Sequence, residues 1–322
     1  MSHSLNGALL VNKHPGVTSF GIIELLQKQY MENEKAKKRD LPKIGHGGTL
    51  DPFATGLLIV CVGKAVKLAR YFLGSSKTYE GVIRFGETTI PGDPTAPISE
   101  TSTVLPESIE SLQKLASNLT LQPYLQTPPM HSAKKKDGKP LYELARAGIE
   151  VEREPKLCHL YEFDISSYEK PRAKFKLVCS SGTYVRTLAQ DMGRLLGTVA
   201  LLESLERSSC GALSIAQAWS VELIGEAFSQ GKKWDELPCW VPFDRLLDSY
   251  HRTQATPEEV KALSEGRQNV LFNILNRAEP PRVALNPRPY GQDAYLAIYC
   301  SEKLVAVAHA EDGKWGLERV FS

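Results

Sequence analysis

The sequence predicts an α+β chain in which strands and helices alternate, followed by a small C-terminal β-barrel. Three observations carry this reading. One unbroken apolar run, at 57–62, has the length and turn-bounded flanks of a buried strand. Two other segments, 77–85 and 173–180, alternate apolar and polar residues with period 2. Between and around them lie segments with helical period, and beyond residue 250 the pattern turns to short strands and one capped helix.

Leu9-Leu10-Val11 reads as a short strand. Thr18 or Ser19 can cap a helix over 19–30, where Phe20, Ile22, Ile23, Leu25, Leu26 and Tyr30 form one broad apolar face. The lysine-rich stretch 31–43 is an exposed loop or frayed helix end. The core strand at 57–62 leads into a helical segment at 63–73. In the strand at 77–85, Tyr79, Gly81, Ile83 and Phe85 face one way and Thr78, Glu80 and Arg84 the other; Val82 alone breaks the alternation. Residues 86–102, rich in Gly, Pro, Thr and Ser, read as loop, and a helix follows near 106–119.

Residues 120–152 read as an insertion, with Pro123, Pro128, Pro129, a KKKDGK turn and a short amphipathic segment at 141–146. In the strand 173–180, Ala173, Phe175, Leu177 and Cys179 share a face, and Gly182 ends it. A helix over 184–196 is expected to bury Leu188, Met192, Leu195 and Leu196, with Gly197 closing it. Thr256-Pro257-Glu258-Glu259 is a capping box with proline at the first helical position, and Gly266 stops that helix. Strand-like runs at 282–285, 294–299 and 304–308, a hairpin signal at Asp312-Gly313 and a final piece ending Val320-Phe321 complete the barrel reading.

The 322 residues allow one large unit and one small one, divided here as 1–248 and 249–322. Apolar content of 42% and charged content of 24% are those of an ordinary globular protein. No 18-residue apolar run is present and the N-terminus lacks a signal-peptide core, so no membrane span is expected and the cytoplasm is the expected compartment. Six scattered cysteines without a C-x-x-C pair argue against a zinc site and a disulfide framework. Net charge is only +2, but it is unevenly spread. Residues 28–46 hold Lys28, Lys35, Lys37, Lys38, Arg39 and Lys43 against three acids, and 131–146 hold Lys134, Lys135, Lys136, Lys139 and Arg146 against two. Either segment alone is an ordinary solvated face. Together they flank one loop and favour phosphate contacts.

That loop lies within 44–58, IGHGGTLDPFATGLL. Glycines crowd His46, and a single carboxylate, Asp51, stands just before the core strand, on the kind of scaffold-mounted loop where catalytic groups tend to lie. An isolated Gly-rich loop with an aspartate is ordinarily a turn. Here the whole stretch closely resembles the G-H-x-G-x-L-D-P-x-A-x-G motif of the TruB family of tRNA pseudouridine synthases. The resemblance covers about 5–245. It implies a catalytic domain built on a bent, mainly antiparallel mixed sheet with flanking helices, closed by a PUA-like RNA-binding domain, to which 249–322 is loosely similar. One departure is Gly47, where bacterial members commonly carry threonine; another glycine is expected to loosen the loop.

The resemblance implies isomerisation of the T-loop uridine, position 55, in tRNA. That reaction breaks the N1–C1′ bond, turns the base and rejoins it through C5, so atoms are conserved and no cofactor or metal is called for. Asp51 matches the family's nucleophile. Arg186, in G-T-Y-V-R-T, matches the arginine that pairs with it and would draw its pKa down by about 1–3 units against desolvation. A free arginine at a helix start would sit badly against the helix dipole. Tyr79, two residues after Lys77, matches the tyrosine that stacks on the base and joins in proton transfer; from the pattern alone it is a core aromatic. His46 matches the histidine that helps turn out the nucleotide, Tyr184 and Leu205 match positions around the base pocket, and Lys13 lies in an element resembling D-K-P-x-G-x-T-S, with Asn12 replacing its aspartate. Residues 120–152 match the thumb loop that closes on the T arm, with Lys134 and Lys139 as phosphate contacts. The partner is therefore tRNA, and a monomer is expected. Two other readings stand beside this one. A non-catalytic tRNA-binding or folding chaperone could use the same surface, although Asp51, Arg186 and Tyr79 are all retained. A glycoside-cleaving enzyme usually needs two carboxylates, and no second acid accompanies Asp51 in these motifs.

Overall fold

The computed structural model describes residues 5–35, 37–130, 132, 135, 136, 138–267, 269–277, 294–311 and 314–321. A ten-stranded mixed sheet forms its centre. Its principal strands are β1 (Gly7–Lys13), β2 (Ile44–His46), β3 (Thr55–Val62), β4 (Lys77–Phe85), β5 (Leu160–Glu169), β6 (Arg172–Cys179), β7 (Ala200–Cys210), β8 (Trp219–Ser220) and β9 (Trp240–Pro242). The spatial order is β5-β6-β4-β7-β3-β1-β8, with β2 beside β3 and β9 beside β1. From β5 to β7 all pairings are antiparallel, as is β3 with β1. Strands β7 and β3 meet in parallel over only two residue pairs, Glu206 with Thr55 and Arg207 with Gly56.

Helices α1 (Ser19–Glu34), α2 (Ile109–Thr120), α3 (Val185–Leu195) and α4 (Val221–Ser229) cover the sheet. Thr18 caps α1 by accepting from the Gly21 N–H. Leu112 of α2 and Leu188 and Met192 of α3 join Ile83, Phe85 and Phe175 in one core. Ile22 and Leu26 of α1 and Ile224 and Phe228 of α4 cover Leu9, Val11, Leu58 and Val60. The other face of β1 and β3, with Leu10, Leu57 and Ile59, lies under Tyr71, Phe243, Leu247 and the C-terminal strands. Strand β3 is thus covered on both faces, which is why its sequence is an unbroken apolar run.

Those C-terminal strands are β10 (His251–Gln254), β11 (Ala294–Cys300), β12 (Lys303–Glu311) and β13 (Lys314–Val320), side by side in that order. Helices α5 (Pro257–Ser264) and α6 (Asn269–Arg277) lie between β10 and β11 in the chain. Both arms of the capping box at Thr256 and Glu259 are formed. The strand read at 282–285 and the turn at Asp312-Gly313 lie outside the described residues.

The structure departs from the sequence reading at identifiable places. Residues 86–102 are not all loop: Glu87–Thr89 and Ile98–Thr101 pair, and their connection carries Asp93. The segment 63–73 begins as a 3-10 turn, Gly63–Leu68, before one short α-helix, Ala69–Gly74. Leu195 is 61% exposed. It holds the last position of α3, and the chain turns away at Gly197, whose φ is +69°. Strands β5 and β7 have no counterpart in the sequence pattern. Each carries two register shifts, at Leu160/Glu162 and Ile165/Ser167 in β5 and at Leu202/Ser204 and Arg207/Ser209 in β7. A bulge moves the following side chains to the opposite face and so erases period 2.

The parallel junction imposes a strict local demand. Gly56 has φ +100°, and a Cβ there would stand 2.5 Å from the Arg207 carbonyl oxygen and 2.7 Å from its nitrogen. Gly56→Ala is therefore expected to lower the unfolding free energy by at least about 2 kcal/mol, from backbone strain plus the clash, as read by urea denaturation.

Candidate active site

The loop 47–54 joins β2 to β3 without regular structure, so its buried backbone groups need partners from elsewhere. The Gly47 N–H donates to the Ile59 carbonyl at 2.8 Å. The Ser19 hydroxyl, at the start of α1, accepts from the Leu50 N–H at 2.8 Å and donates to the Leu50 carbonyl at 3.1 Å. Arg207, buried in β7, donates to the carbonyls of Leu57 (2.8 Å), Gly48 (3.1 Å) and Thr49 (3.4 Å). Lys13, buried at the end of β1, donates to the carbonyls of His14 (3.0 Å), Pro52 (3.0 Å) and Ala54 (2.6 Å). An ammonium has three donors, and here all three meet carbonyl oxygens. Burial pushes the Lys13 pKa down to about 8, with Arg207 adding to the fall and Asp51 opposing it.

Asp51 projects from this loop onto Arg186 in a two-bonded fork: Nε to Oδ2 at 2.7 Å and Nη2 to Oδ1 at 3.2 Å. The Nη1 of Arg186 donates to the Pro91 carbonyl at 2.8 Å and lies 3.2 Å from Oδ2 of Asp93. Asp93 is fixed in turn by the Thr95 N–H at 3.0 Å and by the Thr95 hydroxyl. The arginine side chain is 4% exposed, that of Asp93 6% and that of Asp51 34%, so only Asp51 of the three reaches outward. The helix dipole disfavours a cation in the first turn of α3, and two carboxylates offset it. Burial raises the Asp51 pKa; Arg186 opposes by charge and hydrogen bonding, Asp93 adds to the rise and Lys13 resists it. The cation expected to draw this carboxyl down is present, yet burial outweighs it.

A cavity of about 250 Å³ opens beside Asp51, with Tyr79, Tyr184, Leu205, Arg207 and Lys77 in its walls. Burial raises the pKa of the Tyr79 phenol, against an opposing pull from Arg207, and raises that of Tyr184. The Lys77 ammonium is turned away onto the carbonyls of Phe72, Leu73 and Ser75, at 2.9, 2.7 and 2.6 Å. The sequence candidates Asp51, Arg186, Tyr79, Tyr184 and Leu205 thus converge, with Lys13 behind the loop. His46 sits on β2, outside the cavity wall; its Nδ1 is buried without a hydrogen-bond partner among the described residues, and burial, then Arg207, lowers its pKa. Lys139 is exposed on a two-residue strand of the thumb, and Lys134 lies outside the described residues.

Two contributors escaped the sequence reading: Asp93 sits in a Gly-Asp-Pro turn that looks ordinary, and Arg207 sits among polar residues with no distinguishing pattern. Ser19, named there only as a possible helix cap and as the end of a motif, holds Leu50. Asp93 is a second acid near Asp51, but it is committed to Arg186 and Thr95 and does not line the cavity. Gly47 leaves no room beside it for a side chain. A Cβ there would stand 2.8 Å from Cδ2 and 2.9 Å from Cβ of Phe72, so the phenylalanine fills the space. Among the described residues, no group of three or more His, Cys, Asp or Glu is arranged to hold a metal ion, and no helix is long and apolar enough to cross a membrane.

The chain is similar to known proteins in sequence and in fold. Residues 34–185 match the family model described as TruB family pseudouridylate synthase (N terminal domain). The chain is 40% identical over 245 residues to tRNA pseudouridine synthase B of Bordetella parapertussis, spanning 73% of this chain and 95% of that protein. It is 35% identical over 304 residues to the protein of the same name from Neisseria meningitidis serogroup B, spanning 93% of each. Among solved structures it is similar to a chain of a Cbf5-Nop10-Gar1 complex, with a TM-score of 0.67 at 19% identity over 98% of this chain and 85% of that one. This last likeness is one of fold.

Two outcomes follow from the loop's supports. Gly47→Thr alone is expected to cost about 1–3 kcal/mol of stability by overpacking, and Phe72→Leu in the same chain should recover part of the loss; thermal unfolding of the two single variants and the double variant measures the coupling. The folded-state pKa of Lys13, about 8, lies below its ordinary 10.5. The folded protein then binds fewer protons than the unfolded chain between those pH values, so the wild type should gain stability relative to Lys13→Met as pH rises from 8 to 10.5. Denaturant titrations across that range test the sign.

Proposed function

The chain belongs to the TruB family of pseudouridylate synthases, and on that premise we propose that it acts on the T-loop uridine at position 55 of tRNA, with Asp51 as nucleophile. The broader activity, isomerisation of uridine to pseudouridine in tRNA, is that of the family. The observation that carries the finer reading is the fork between Asp51 and buried Arg186 at the wall of a cavity of about 250 Å³. A nucleophile must be ionised and aimed. Arg186 favours the ionised form, and its two bonds fix the plane of the carboxylate.

Asp51 attacks C1′ while the N1–C1′ bond breaks; the detached uracil turns within the cavity, C5 bonds to C1′ as the Asp51 carboxylate leaves it, and C5 loses a proton while N1 takes one up. The target must first leave its stack. Tyr79 lies against the turned base and takes part in moving the C5 proton. Tyr184 and Leu205 bound the base, and His46 assists entry of the nucleotide. Lys13 holds the nucleophile loop, and Lys134 and Lys139 of the thumb meet backbone phosphates. Residues 1–248 form the catalytic domain, residues 249–322 add a PUA-like RNA-binding surface, and the enzyme acts as a monomer.

Incubation with a T-arm stem-loop, without added cofactor or metal, is expected to convert the T-loop uridine alone. Asp51→Asn should reduce conversion by at least about 10³-fold, as loss of a nucleophile does, while binding stays within about threefold by filter retention. Because the Asp51 pKa is raised, the acid limb of the wild-type rate should lie above the ordinary aspartate value of about 3.9. Substantial conversion by Asp51→Asn would remove the nucleophile assignment. Free uracil would indicate glycoside cleavage, and salt-sensitive binding without conversion would indicate a chaperone.

A further inference from the structure

We infer that Gln126 is a positioning residue for the reaction, setting Arg186 against Asp51 from the root of the thumb. Gln126 is 1% exposed and ends the strand Tyr124–Gln126, which pairs with Lys156–Cys158. These two strands lie at the root of the thumb read at 120–152. Its carboxamide binds both backbone groups of one residue: Nε2 donates to the Tyr184 carbonyl at 3.0 Å, and Oε1 accepts from the Tyr184 N–H at 2.7 Å. This reproduces with a side chain the two-bond exchange of an antiparallel strand neighbour.

Tyr184 is the residue before α3, where no side chain of its own caps the helix, and its carbonyl also accepts from the Leu188 N–H at 3.1 Å. The same thumb-root strand is fastened a second time, through the Tyr124 hydroxyl to Asp191 of α3. Arg186 lies between the two fastenings. Its side chain is buried and in contact with Asp51, so a small displacement of the first turn of α3 moves the fork directly. Gln126 does not line the cavity; it acts through Tyr184 and Arg186. Without Gln126 the Tyr184 N–H at the start of α3 is orphaned and its carbonyl keeps only the Leu188 N–H; the N–H would seek another partner, and the turn would shift to reach it.

This inference rests on the proposed roles of Asp51 and Arg186, and the experiment separates the two. Gln126→Met keeps the volume and removes both bonds; Gln126→Glu keeps only the acceptor. Single-turnover rates and affinities on T-arm RNA are read from pH 5 to 9, per mole of folded enzyme counted from thermal unfolding. Asp51 is faced by Arg186 from α3, Asp93 and Lys13 from their loop and strand, and the Tyr184 hydroxyl. If the fork is displaced, Arg186 loses hold and the carboxyl gains protons more readily. The expected result for Gln126→Met is a rate about 10²-fold lower, as for an ångström-scale misplacement, with RNA affinity within threefold and the acid limb moved to higher pH. Gln126→Glu should fall between it and the wild type in rate, and it serves as the reading if the methionine variant does not fold. A wild-type rate in the variants, a loss confined to affinity, or a rate loss with an unmoved acid limb would overturn the inference. A wild-type chain that binds T-arm RNA without converting it would instead overturn the reading beneath.

Discussion

The arrangement of the site depends on carbonyl oxygens turned toward two buried cations. A loop that aims a single carboxylate out of a sheet cannot keep a strand's hydrogen bonds, and its carbonyls must find donors in the interior. Lys13 from β1 and Arg207 from β7 supply four such bonds, two each, to Pro52 and Ala54 and to Gly48 and Thr49, and each spends its remaining bond on a flanking carbonyl, His14 or Leu57. The two come from strands on opposite sides of β3, so the loop is held from both flanks. Arg207 serves twice: its backbone forms part of the parallel junction against Gly56, and its side chain grips the loop that leads into that junction. The placement of Asp51 is therefore tied to the registry of the central sheet.

The electrostatics of Asp51 follow from this anchoring. One guanidinium sits between two carboxylates, and the three side chains differ in reach: Arg186 and Asp93 are enclosed, while Asp51 is open to the cavity. The enclosed acid holds the arginine in place, and the open acid is available for chemistry. Two acids on one cation, together with burial, leave Asp51 less acidic than an aspartate in water. Lys13 adds a second positive charge behind the loop, so the group that grips the backbone also bears on the carboxylate in front of it.

Much of this was legible in the sequence where local pattern and environment agree. The strand 77–85, the helix starting at Thr18 and the capping box at Thr256 obey rules contained within a few residues. Asp51, Tyr79 and Arg186 were legible because they sit in motifs. What stayed hidden was set by long-range geometry. Bulges scrambled β5 and β7. Asp93 is defined by an arginine 93 positions away, and Arg207 by carbonyls about 150 positions earlier in the chain. The packing of Phe72 into the space beside Gly47 comes from a segment no local rule connects to it.

The C-terminal strands share a core with the first sheet, and this has a bearing on how the chain is made. Phe321 closes on Phe243 with ring centres 5.2 Å apart, and Tyr295 stands edge-on to Tyr71 at 5.2 Å. Leu10, Leu57 and Ile59 belong to the same cluster. During synthesis, that apolar face of β1 and β3 is covered only in part, by Tyr71, Phe243 and Leu247, until β11 to β13 have emerged from the ribosome. A nascent chain lacking them carries a partly open sheet face of the kind that aggregates or engages chaperones. Premature termination or clipping ahead of β11 would thus remove more than an appended module: it would strip the floor from beneath the strand that carries the nucleophile loop.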